Sequence, residues 1–265
     1  MSFKNTKEDR GQHVEHLEIN SYVWYESDWK HDDNEDSHDY YQLNYVEEGY
    51  QYFHIEQKIY LVPQNNVIWI PANKKHRTTS DATAVNPMLI LFKSAPKKDF
   101  YNEVHVFEAP AVLREMMFYA SKWNKATIEN PEQHLFLKAL LGSLPNFCND
   151  AFGLQVPVPT DCRLIPVCHY INANYQYNIN VDDLGEIAKM SARNLQRIFK
   201  QETGITLQKY IQLIRIVKSI ELIDTKRFTL SEIAYKVGYK SLSAFSNSYF
   251  SIMKMKPSGK RKFGV

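Results

Sequence analysis

Residues 191–204 read SARNLQRIFKQETG and set Arg193, Gln196, Arg197 and Lys200 at intervals of three and four. At helical pitch that spacing gathers two guanidinium forks, a carboxamide and an ammonium on one stripe. These donors match what base pairs offer in the major groove. Arg is bidentate to O6 and N7 of guanine, Gln suits N6 and N7 of adenine, and Lys suits a phosphate. Leu195, Ile198 and Phe199 recur on the opposite side, so the segment predicts an amphipathic helix over 192–202, with Ser191 as N-cap and a stop near Gly204. A solvated basic face is the ordinary reading of such a run, and the helix alone does not decide against it.

The elements that must position those residues supply the context. With 265 residues, 44% of them hydrophobic, the chain can bury a sizeable core and is expected to hold two domains. The net charge of +2 conceals a division. Residues 1–155 carry 15 Lys+Arg against 22 Asp+Glu, a balance of −7, and residues 156–265 carry 17 against 8, a balance of +9. The C-terminal part therefore has the signature of a polyanion binder. Between them Pro157 and Pro159 in LQVPVPTD disfavour helix and mark a stiff extended linker. The expected division is 1–153, linker 154–160, and 161–265.

Beyond the linker the patterning is helical. LGEIAKM at 184–190 returns as LSEIAYKVG at 230–238, in step at 46 residues, and each copy precedes a turn and a second helix, 192–202 and about 242–252. A long helix from 206 to 224, with Leu207, Tyr210, Ile211, Ile214, Val217 and Glu221 at helical spacing, separates them and spans roughly 28 Å at about 1.5 Å per residue. Two helix-turn-helix units held apart by such a rod suit adjacent major grooves, which recur about every 34 Å. Repeat, spacer and charge together favour DNA reading over a solvated face.

Residues 161–265 resemble the DNA-binding domain of the AraC/XylS family of bacterial transcription regulators, through LGEIAKMSARNLQRIFKQETGITLQKYIQLIRIVKSIELI, LSEIAYKVGYKSLSAFSNSYF and KPS. The resemblance implies two helix-turn-helix units, base contacts at Arg193, Gln196 and Arg197, and matching positions at Leu242, Ser243 and Asn247 in the second. The sequence departs from the family where Asn247 replaces a common Arg and where Lys254 stands in place of Gly. Lys200, Lys240 and the tail KMKPSGKRK suit phosphates. The family also implies contact with RNA polymerase.

The N-terminal half shows short aromatic and β-branched runs from 38 to 79, broken at Glu48-Gly49, Glu56-Gln57, 63–66 and 71–75, as in an antiparallel sandwich or barrel. It resembles the cupin-type sensor domain attached to many of these regulators, so the fold class expected is α+β: a cupin-like β-sandwich or barrel with a helical pair, then an all-α reader. Cupins that bind metal use an H-x-H pair, a Glu and a later His; here Asp36, His38, Gln42 and His76 stand at those positions. Two imidazoles and a carboxylate can hold a divalent cation, but the set is incomplete and no metal or other cofactor is expected. If His38 and His76 face inward, Gln42 and Asn44 share the cavity by period-two alternation, and Trp24 and Trp69 are candidates for its wall. A small effector is the expected ligand. Segments 109–123 and 131–148 read as amphipathic helices, the first with Leu113, Met116, Met117 and Ala120 as its stripe; in the family such helices pair protomers, which implies a homodimer.

No run approaches the ~18 apolar residues of a membrane span, and the N-terminus lacks a signal-peptide core, so a cytoplasmic protein is expected. Three cysteines without CxxC spacing argue against a disulfide framework or a thiolate zinc site. No Gly-rich phosphate loop, nucleophile elbow or HExxH is present. A DNA-binding regulator, not an enzyme, is the expectation; a metal-dependent cupin enzyme carrying a DNA-binding appendage is the alternative.

Overall fold

The computed structural model describes residues 19–29, 37–82, 84–148, 154–253 and 256–257. These form an antiparallel, strand-rich N-terminal region and a helical C-terminal region, an α+β fold. The strands are β1 (Ser21–Tyr25), β2 (Tyr41–Glu48), β3 (Tyr50–Ile55), β4 (Lys58–Pro63), β5 (Asn66–Ile70), β6 (His76–Thr79), β7 (Asn86–Phe92), β8 (His105–Glu108) and β9 (Leu154–Pro157). The helices are α1 (Ala111–Ala120), α2 (Pro131–Phe147), α3 (Ile165–Asn174), α4 (Val181–Ile187), α5 (Ala192–Thr203), α6 (Leu207–Asp224), α7 (Leu230–Lys236) and α8 (Leu242–Met253). Two compact units divide the described residues: one holds 19–29, 37–51, 64–80 and 84–148, the other 52–63, 81–82 and the rest from 154 onward.

In the first unit five antiparallel strands run in the order β1-β7-β2-β5-β8. The pleat sorts their side chains. One face carries Val23, Leu43, Tyr45, Val67, Trp69, Ile90 and Phe92, covered by Leu113, Met117 and Ala120 of α1 and Leu137, Leu140 and Leu144 of α2. Each fully buried Leu or Phe there contributes about 1.5–3 kcal/mol. The other face carries Gln42, opposite Leu91 and Ile70, and Asn44, opposite Leu89 and Ile68, beside an apolar group of Tyr22, Trp24, Tyr40, Leu89 and Leu91. α2 begins where the Asn130 side chain accepts from the Gln133 N–H at 2.9 Å and Pro131 takes a position that needs no N–H.

In the second unit β9 pairs antiparallel to β4, from Lys58 opposite Pro157 to Leu61 opposite Leu154. Residues 154–157 of the expected linker are thus a hydrogen-bonded strand. Pro157 fits because it ends the strand, where a missing N–H costs no ladder bond. The helices pack around α6, whose Leu207, Tyr210, Ile211, Leu213, Ile214, Ile216, Val217 and Ile220 are all buried. Its 18 residues span about 27 Å at 1.5 Å each. Glu221, at helical spacing with the apolar residues, is half-buried; it accepts from Lys218 Nζ at 2.6 Å and from the Tyr52 hydroxyl.

The two helix-turn-helix units do not superimpose at the 46-residue step of their matching letters. Leu184, Gly185 and Ala188 are buried in the first, Ile233, Ala234 and Val237 in the second. Lys189 and Gly238 are the left-handed turn residues, with φ of 54° and 86°. Met190 N–H donates to the Gly185 carbonyl and Tyr239 N–H to that of Ala234, both at 2.9 Å. Every one of these pairs is 49 residues apart. In the following helices Ser191 matches Ser241, Leu195 matches Phe245 and Phe199 matches Tyr249, all 50 apart. The second turn is one residue longer, and the repetition of Leu, Glu, Ile and Ala at 46 is a coincidence of letters.

Candidate functional site

α5 forms because each local rule agrees. The Ser191 hydroxyl accepts from the Asn194 N–H at 3.3 Å, and Gly204 closes the helix in a left-handed turn at φ 75°. Leu195 and Phe199 are fully buried, the latter with its ring edge-on to Tyr210 at 5.2 Å. The register of those two anchors leaves Arg193, Gln196, Arg197 and Lys200 exposed together. Arg197 is held along the helix, donating from Nη2 to Asn194 Oδ1 at 2.9 Å and from Nη1 to Gln201 Oε1 at 3.4 Å, which restricts its rotamers.

The turn before α5 is tight. A Cβ on Gly185 would lie 2.8 Å from the Met190 carbonyl oxygen and 3.3 Å from Ala192 N, so only glycine lets α4 close on the start of α5. At the other end Glu202 accepts from Thr160 Oγ1 at 2.6 Å and from the backbone N–H of Thr160 and Asp161, each at 3.3 Å. These bonds, the Thr160 hydroxyl first, hold its carboxyl below the usual carboxylate range.

Arg215, which sequence reasoning missed, ties the two helix-turn-helix units through α6. Its Nε donates to the Tyr175 carbonyl at 2.8 Å and Nη2 to that of Tyr177 at 2.9 Å, in the loop before α4, while the guanidinium lies 5.7 Å from the centre of the Tyr239 ring. Burial lowers its pKa from the usual arginine value, against the opposing pull of Tyr239. A lone Arg inside an apolar helix pattern is the signal that was available.

α8 has the same internal construction. Ser241 Oγ accepts from the Ala244 N–H at 3.2 Å, and Phe245 and Tyr249 are buried. Ser243 and Asn247 are exposed as expected, in the places of Arg193 and Arg197. The structural register pairs Gln196 with half-buried Ser246, not recognised from sequence, and Lys200 with Phe250, which is 53% exposed. Leu242 corresponds to Ala192. Of the basic tail only Lys256 falls within the described residues; Lys254 lies outside them.

On the polar face of the first unit's sheet the structure brings His38, Gln42, Asn44 and His76 together, all buried, and adds Gln51. The His38 and His76 rings meet edge-on at 5.3 Å. His38 Nε2 is 3.1 Å from Gln42 Oε1, Gln42 Nε2 is 3.4 Å from Asn44 Oδ1, and Asn44 Nδ2 is 2.9 Å from Gln51 Oε1. Gln51 Nε2 ends this row with no partner among the described residues. His38 Nδ1 is also 3.0 Å from the Tyr40 carbonyl. The three amides can be set as they stand, leaving a free N–H at Gln51, or all reversed, leaving a free carbonyl there. Either way the unpartnered group is at Gln51, hidden from sequence reading inside the aromatic run YQYFHI.

Trp24 lies on this same face, its Nε1 donating to Glu26 at 3.2 Å. Trp69 does not. Strand alternation places it with Leu43 and Tyr45 under the helices, stacked on Tyr41 at 5.6 Å and donating to the Tyr101 carbonyl at 3.3 Å. Its expected place in the wall is corrected to the core. Asp36 lies outside the described residues, among which no group of three metal-ligating side chains forms.

Comparison with known proteins follows this division. The family described as AraC-like ligand binding domain matches residues 18–90, and the family described as Helix-turn-helix domain matches 184–262. A Bacillus subtilis protein described as an uncharacterized HTH-type transcriptional regulator, YbfI, is 25% identical over 71% of this chain and 72% of its own. Transcriptional regulatory protein HptR of Staphylococcus aureus is 32% identical over 42% of this chain, and the match spans 44% of HptR. Among solved structures, ToxT from Vibrio cholerae aligns at 17% identity over 90% of this chain and 96% of its own, with a TM-score of 0.37.

Proposed function

We propose that this chain, an AraC-family transcription regulator with an N-terminal ligand-binding domain and a helix-turn-helix DNA-binding domain, reads its operator mainly through α5. The observation that carries this is the exposed stripe of Arg193, Gln196, Arg197 and Lys200 on a helix fixed by two buried anchors and two caps. Arg193 and Arg197 take guanine edges, Gln196 an adenine, and Lys200 a phosphate. Ser243 and Asn247 contribute a weaker second reading.

The effector domain is assigned to 1–153 and the reader to 161–265, on the charge division and the prolines near 157. An effector engages the polar row of His38, Gln42, Asn44 and His76, with Trp24 beside it and Gln51 offering its unsatisfied end. A buried amide without a partner costs about 1–3 kcal/mol, so a small ligand that completes the row recovers that amount. Dimerisation uses the outward faces of α1 and α2, where Val112, Phe118 and Leu135 are exposed. Among the described residues no helix is long and apolar enough to cross a membrane. A DNA reader works where the chromosome is, which places the chain in the cytoplasm, alongside RNA polymerase as its functional partner. Regulation without catalysis is the reading that the relatives' names support.

The test is a binding selection from random duplexes with the full chain, followed by titration at two salt concentrations. An enriched motif, and an affinity falling at least tenfold between about 50 and 200 mM salt, is expected. No enrichment, or a flat salt response, would contradict the assignment.

A further inference from the structure

The outer face of α8 differs in kind from that of α5. The two helices share caps and buried anchors, so their exposed positions can be compared one by one. Where α5 has Ala192, Arg193, Gln196, Arg197 and Lys200, α8 has Leu242, Ser243, Ser246, Asn247 and Phe250. Leu242 is 40% and Phe250 53% exposed. Packing does not require a large apolar side chain at either place, because the equivalent sites in α5 hold an alanine and a lysine. Ser243, Asn247 and Phe250 lie at i, i+4 and i+7, one stripe of the helix.

No Lys or Arg occurs in Leu242–Met253. The face therefore lacks the side chains that read guanine, and what it has instead is the complement of an A·T pair. Asn is bidentate to N6 and N7 of adenine, apolar side chains meet the C5 methyl of thymine, and Ser accepts or donates to either. Lys240, exposed just before the helix, serves a phosphate. We propose that α8 is an A·T reader, with Asn247 on an adenine edge and Leu242 and Phe250 on thymine methyl groups. This rests on the operator-reading function above and goes beyond it, naming the base composition of the second half-site and the residues that select it.

Replacing thymine by deoxyuridine removes the methyl group and leaves Watson–Crick pairing intact, which isolates the contact. The full chain is titrated by anisotropy against its selected operator, against the same duplex with uracil in the half facing α8, and against one with uracil in the half facing α5. Wild-type affinity should fall about fourfold for each methyl lost from the α8 half and change little for the α5 half. Phe250→Ala, at an exposed site where folding can be checked by circular dichroism, should lose the uracil penalty at the thymine facing residue 250 and keep the one facing Leu242, whereas Phe250→Leu should keep part of both. A half-site rich in G·C, or wild-type indifference to uracil there, overturns the inference while leaving operator reading intact. So does a Phe250→Ala variant that leaves every titration unchanged, since Phe250 would then meet no base. Failure to select any duplex would sink the operator-reading function and this inference with it.

Discussion

At equivalent buried points the first helix-turn-helix unit has Gly185 and the second Ala234, while the left-handed turn residue is Lys189 in the first and Gly238 in the second. Each unit thus needs one glycine, in a different place and for a different reason. Gly185 is demanded by close approach, Gly238 by both its φ of 86° and its contact with Gln176, whose carbonyl oxygen would lie 2.7 Å from an added Cβ. Outside, the contrast is chemical: α5 presents cations, α8 amide, hydroxyl and hydrocarbon. One scaffold therefore tolerates different inner solutions provided the anchors Leu195 and Phe199, or Phe245 and Tyr249, keep their spacing. Its outer face is then free to specify a ligand.

The turns should be the most sensitive to substitution. Gly238→Val should cost about 3 kcal/mol or more, because left-handed strain and a backbone clash act together. Gly185→Ala, with the clash alone, should cost about 1–3 kcal/mol, and Ala234→Gly about 1–2 kcal/mol, from helix entropy and one buried methyl group. Thermal melts of the three variants give the order; a Gly238→Val protein as stable as Ala234→Gly would remove the account of the second turn.

A smaller loss is expected where the two helix-turn-helix units are joined. Arg215→Lys keeps the charge but loses the fork that reaches the Tyr175 and Tyr177 carbonyls at once, and should cost about 1–2 kcal/mol. Hydrogen exchange should then quicken in the loop before α4 and in the turn at 238–239 together. Faster exchange in only one of them would show that Arg215 does not couple the units.

The C-terminal helices are legible in the sequence because burial on one stripe is a local, periodic property, and caps such as Ser191 and Gly204 sit within a few residues of what they cap. Where sequence and structure part, the cause is contact between distant segments. β9 reads as a linker because two prolines disfavour helix, yet its partner β4 lies nearly a hundred residues earlier. Identical letters set the repeat at 46 residues, although the burial pattern at Leu184 and Ile233 is what the two copies share in folding. Residue type alone suggests a cavity wall for Trp69, whereas the pleat, which correctly sets Gln42 and Asn44 apart from Leu43, puts it on the core face once its pairing with Leu43 is known. Gln51 and Arg215 act through side-chain contacts seven and about forty residues away, beyond any periodic signal.

We propose that α5 dominates operator reading. It is tested most directly by titrating wild type, Arg197→Ala and Asn247→Ala on the selected operator and on versions with either half scrambled. Arg197→Ala should lose about 1–3 kcal/mol of discrimination at the half facing α5 and none at the other, and Asn247→Ala should lose less, confined to the half facing α8. Equal losses for the two variants, or a more sharply defined half-site opposite α8, would contradict it.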